Sequence, residues 1–73
     1  LDARQRTIQD FVWLLRCKGV HLKMIAHRMG ISVKTAEYHW NGVCKRFGTA
    51  NQFTLALIAY RQRLIYFAAA PAT

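Results

Sequence analysis

The chain has 73 residues, with eleven Lys and Arg against three Asp and Glu, for a formal net charge of +8. That length fits one small domain and excludes a catalytic cleft between two. The three carboxylates, Asp2, Asp10 and Glu37, are too few for a calcium cage or an acid-rich active site, and 53% hydrophobic content is too high for a disordered tail.

Apolar residues recur at three-and-four spacing throughout, with no sustained alternation of the strand type, so the chain reads as all-α. A first helix starts after Asp2, whose side chain can accept the Gln5 N–H, and Gln5 stands where a capping-box partner belongs. Ile8, Phe11, Val12 and Leu15 form its expected buried stripe. Trp13 lies off that stripe, available to cover the fourth helix or to face an interface. Gly19 ends the helix.

The second helix carries Leu22, Ile25, Ala26 and Met29 at i, i+3, i+4 and i+7 and stops at Gly30. Ser32 caps a third helix, with Val33, Ala36, Trp40, Val43 and Phe47 as its apolar stripe and Gly48 at its end. Asn51 caps a fourth helix running through Phe53, Ala56, Leu57, Tyr60 and Leu64. A second apolar stripe, Leu55, Ile58, Ala59 and Ile65, is surplus to that core and is the candidate dimer interface. Contact with an absent domain of the same chain, or a deeper core, is the alternative. The domain is expected over 1–67, with 68–73 as a C-terminal tail.

A short helix, a tight turn at Gly30 and a longer helix from Ser32 have the spacing of a helix-turn-helix, with Ile31 filling the space between them. Spacing alone leaves a plain helical hairpin equally open, and the charge decides between them. A basic excess without compensating acid favours a polyanionic partner, whereas the plainer reading of the charge is solubility. On the third helix Lys34, Glu37, Tyr38, Asn41 and Lys45 share the face opposite the apolar stripe. Asn can pair with adenine, Glu can accept from cytosine, and Tyr offers a hydroxyl and a flat surface for a thymine methyl. Lys34, Glu37, Tyr38 and Asn41 are the base-contact candidates. Ser32, Thr35, Lys45, Arg46, Lys23 and Arg28, with Lys18 and Arg16, are suited to phosphates. Each has an ordinary solvated surface as its alternative.

These residues carry a resemblance. Ile25-Ala26, Met29, Gly30-Ile31-Ser32, Thr35, His39, Val43, Phe47-Gly48 and Asn51 follow the pattern of the LuxR-type (GerE) DNA-binding domain of bacterial regulators, over roughly Leu1 to Ile65. The resemblance implies a four-helix domain that dimerises through its last helix, binds an inverted repeat near a promoter, and in many members touches RNA polymerase. It also implies a position for His39 near the DNA backbone. The competing reading of His39 is an imidazole packed beside Trp40 and hydrogen-bonded locally. Departures from the pattern are Glu37 where the family has Lys, Ala36 for Val, Met24 for Glu, Gly42 for Asn, Arg46 for Lys and Gln52 for Arg. The first helix is also about one turn longer.

Other chemistry is weakly supported. Cys17 and His21 stand four apart, but Gly19 interrupts the helix between them and no second pair completes a metal site. A Cys-His nucleophile pair lacks an orienting group and a shaped pocket, so no enzyme, cofactor or metal is expected. Arg61 and Arg63 among the aromatics of 60–67 resemble a membrane-surface helix, yet no apolar run approaches the roughly 18 to 20 residues of a bilayer span. Leu1 opens neither a signal peptide nor a start-codon product, so an excised or processed domain is expected. Two cysteines suit reduced thiols in the cytoplasm better than a secreted disulfide scaffold. The sequence therefore points to double-stranded DNA binding through residues 32–47, with a protein-interaction or dimerisation module as the alternative.

Overall fold

The structure is a computed structural model that describes residues 1–62. In them the chain folds into four helices: α1 Ala3–Cys17, α2 Leu22–Met29, α3 Val33–Phe47 and α4 Gln52–Arg61. Three starts have side-chain caps. Asp2 Oδ1 accepts the Gln5 N–H at 2.8 Å, Ser32 Oγ accepts that of Thr35 at 3.0 Å, and Asn51 Oδ1 accepts those of Phe53 and Thr54 at 2.9 and 3.1 Å. Each cap satisfies N–H groups that have no partner inside the helix. Gly30 and Gly48 end α2 and α3 at φ +67° and +66°, left-handed values that a Cβ would strain. Leu64 of the expected fourth helix, the candidate Ile65, and the tail 68–73 lie outside the described residues.

α1 is the hub, packing on α2, α3 and α4, while α2 packs on α3. The core joins Trp13, Val43, Leu55 and Ala59, with Cys17, Trp40, Cys44, Phe47 and Ile58 partly buried around it. Trp13 has no exposure, its ring centroid is 5.0 Å from that of Phe47, and its indole N–H donates to the Leu55 carbonyl at 3.1 Å. A second tie runs from the Gln52 amide, Nε2, to the Arg16 carbonyl at 2.9 Å. Both bonds fix α4 against the C-terminal half of α1.

Two helices present different faces from those expected. On α1 the buried residues are Gln9, Val12 and Trp13, while Phe11 is 51% exposed and Ile8 and Leu15 are only partly covered. The inward face is shifted by one residue, about 100° of helix rotation. Trp13 decides it, because it buries the larger ring and also finds an acceptor for its N–H. On α4 the faces are exchanged. Leu55 and Ala59 are fully buried and Ile58 is packed against them, whereas Phe53 is 85% exposed and Leu57 and Tyr60 about half. Both faces are apolar, so periodicity could not choose between them; small Ala59 and the Leu55 carbonyl suit close approach to Trp13. On α3, Ala36, His39 and Val43 are buried, Trp40 and Phe47 half-buried, and Val33 is exposed.

Candidate nucleic-acid interface

α2 and α3 are joined by Gly30, Ile31 and Ser32. Ile31 donates its N–H to the Ala26 carbonyl at 3.0 Å, which closes the end of α2 and directs the chain into the Ser32 cap. Ala36, His39 and Val43 anchor the inner side of α3. The outer row, Lys34, Glu37, Tyr38, Asn41 and Lys45, is exposed at every position. Its ends are eleven positions apart, a span of about 16 Å along the helix at the usual rise. Four base-contact candidates therefore stand together on one uncovered ridge that the core holds in place.

The phosphate candidates divide. Lys23 and Arg28 on α2, and Lys45 and Arg46 at the end of α3, are exposed, and the Arg46 guanidinium carbon lies 5.0 Å from the Phe47 ring centroid. Lys18 is exposed as well. Ser32 is exposed and Thr35 half-buried, but their hydroxyls bond to each other at 2.8 Å within the cap. Arg16 is half-buried: its guanidinium carbon sits 5.7 Å from the Trp40 ring centroid, and its Nε is buried without a hydrogen-bond partner among the described residues. Glu37 lines a cleft with Arg16, His21 and Lys23, so the anion of the outer row stands beside cations of α1 and α2.

His39 departs from both readings made of it. The residue has no exposed surface, so it reaches no phosphate, and neither ring nitrogen has a hydrogen-bond partner among the described residues. Its ring meets that of Tyr38 edge-on at 5.2 Å. Burial holds its pKa below the usual 6.5, which keeps the ring neutral. Of the candidate dimer residues, Leu55 and Ala59 are core and Ile58 is packed against it, so an exposed interface cannot be built on them. The uncovered apolar stripe of α4 is Phe53, Leu57 and Tyr60.

Two further residues belong to this surface. Gly42 lies inside α3, where glycine costs about 1 kcal/mol relative to alanine. A Cβ there would stand 2.7 Å from the Gln9 amide nitrogen, Nε2. Gln9 is buried, at 6% exposure. An isolated glycine within a helical pattern is the signal that points to such a close approach. No family model, curated protein or solved structure matches this chain.

The remaining reactive groups are quiet. Burial pushes the Cys17 thiol up to about 11, against lowering by Trp13 and Arg16, and burial also raises that of Cys44. Neither is a useful nucleophile near neutral pH. Among the described residues no group of three or more His, Cys, Asp or Glu is placed to hold a metal ion, and no helix is long and apolar enough to cross a membrane.

Proposed function

We propose that this chain is a sequence-specific, double-stranded DNA-binding domain of a bacterial transcriptional regulator, with a LuxR/GerE-like helix-turn-helix and α3 as the helix that enters the major groove. The observation that carries this reading is the uncovered row from Lys34 to Lys45 on a helix whose opposite side is anchored in the core. Such a row can enter a groove without moving the bundle. A net charge of +8, with Lys23, Arg28, Lys45 and Arg46 exposed around that helix, supplies the attraction to phosphates. The resemblance of the Ile25 to Asn51 segment to LuxR-type domains supports the same reading and a cytoplasmic location.

Dimerisation on an inverted repeat belongs to the proposal, through Phe53, Leu57 and Tyr60 rather than through the residues the sequence singled out. Two copies joined there would offer recognition helices to half-sites about 34 to 36 Å apart. That same stripe, together with Glu37 among the outer residues, favours a second reading: a protein-interaction module that no longer reads sequence.

Equilibrium binding to duplex DNA across a salt series tests the main reading. With about four to six phosphates neutralised per bound unit, log K should fall against log salt with a slope of about −0.9 per phosphate. A flat profile from low to moderate salt would refute it.

A further inference from the structure

We propose that Gln9 is a DNA-backbone contact, held against Gly42 at the floor of a cleft that receives a phosphodiester of the duplex together with Asn41 and Lys45. The inference rests on the DNA-binding reading above and adds a residue and a subsite to it. The cleft has a volume of about 400 Å³ and is lined by Leu1, Gln9, Tyr38, Asn41, Gly42 and Lys45. It thus opens on the outer row of α3, with one cation, two carboxamides and a phenol in its wall and no carboxylate.

Gln9 is the unusual member. It is 94% buried by its 6% exposure, yet its carboxamide makes no hydrogen bond to any described residue. The amide atoms are not sealed from solvent and the residue lines the cleft, so a ligand oxygen at its floor can take the place of solvent as acceptor for the Gln9 N–H groups. Its position depends on Gly42, because a Cβ on that residue would occupy the space of Nε2. α3 therefore tolerates a poor helix former where a side chain would evict the amide.

The shape of the site selects the part of DNA it takes. Base edges are recessed in the groove and are met by side chains that protrude, as Lys34 does. A concave cleft is complementary to what projects from the duplex, the sugar-phosphate strand. Lys, Asn and Gln are all ordinary donors to phosphate oxygens. In this arrangement Lys45 supplies the charge, while Gln9 and Asn41 supply neutral N–H donors.

The experiment compares duplex affinity across a salt series for wild type, Gln9→Leu, Gly42→Ala and Lys45→Gln, with a thermal melt of each protein. Gln9→Leu and Gly42→Ala should each lose about five- to tenfold in affinity, equally on all sequences, with the salt slope unchanged, because a neutral amide displaces no counterion. Lys45→Gln should flatten the slope by about 0.9. In Gly42→Ala the new methyl meets the far end of a flexible side chain, so the amide moves and the helix stays; Gln9→Met keeps the side-chain length should Gln9→Leu fold poorly. Wild-type binding with unchanged affinity in folded Gln9 and Gly42 variants overturns this inference and leaves the DNA reading standing. Loss confined to particular sequences overturns the backbone assignment. No duplex binding by wild type at low salt overturns both.

Discussion

Acidification below pH 6.5 should destabilise this domain through His39. The ring has no exposed surface and, among the described residues, no hydrogen-bond partner at either nitrogen, so none of those residues stabilises a second proton on it. Its pKa is lowered in the folded chain, whereas the unfolded chain regains the ordinary value of 6.5. The contribution to stability is therefore fully present above that value and is lost as pH falls through it toward the folded-state pKa, because over that range the unfolded chain holds the extra proton. One proton corresponds to about 1.4 kcal/mol per pH unit at the limiting slope. A domain of this size holds only about 3 to 5 kcal/mol in total, so even a part of that loss, which ends once pH passes the folded-state pKa, is measurable. Urea titrations followed by circular dichroism from pH 4.5 to 7.5 measure the effect. His39→Leu removes the titration and the two unpartnered nitrogens at similar volume, so it should match or exceed wild-type stability at pH 7. Its advantage should then widen as pH falls below 6.5, by at most about 1.4 kcal/mol per unit, and level off below the folded-state pKa. A difference between the two proteins that stays constant over the whole range would refute the reasoning.

The exchanged faces of α4 predict opposite outcomes for neighbouring leucines. Leu55→Ala should cost about 2 to 5 kcal/mol in denaturant melts. Leu57→Ala should leave the monomer within about 0.5 kcal/mol of wild type and weaken self-association in sedimentation. Trp13→Phe, which removes the indole N–H donor to the Leu55 carbonyl and opens space beside Val43, should lower stability by about 1 to 3 kcal/mol, read as a reduced urea midpoint. The Cys17 thiol, raised to about 11, should react with an alkylating reagent far more slowly at pH 7 in the folded protein than in urea. Equal rates in the two states would contradict its burial.

The local signals of this fold are legible in the sequence because they act over a few residues. Asp2, Ser32 and Asn51 each sit before an apolar-periodic run and each bonds the N–H groups that follow. Gly30 and Gly48 end helices because of a conformation that the chain needs at that point alone. The exposed row of α3 is legible for a related reason: it is polar opposite an apolar stripe, so only one orientation buries the right atoms. On α4 that asymmetry is missing. Phe53 and Leu57 look no less buried in sequence than Leu55 and Ala59, and the choice falls to Trp13, 42 positions before Leu55, through its N–H bond. His39 escaped for another reason. A histidine on the border of an apolar stripe is read as amphipathic, and only the packing of α1 and α2 on α3 shows that nothing polar reaches it. The Gln9–Gly42 approach joins distant positions, and Gly42 alone announces that something lies close without naming its partner.

Selection of bound duplexes from a random library, with wild type and Lys34→Ala in parallel, tests most directly whether the outer row of α3 reads DNA. Wild type should yield an enriched motif and the variant a relaxed preference at one position, with about 1 to 3 kcal/mol lost on the selected site. A wild-type pool with no enrichment over the starting library would contradict it.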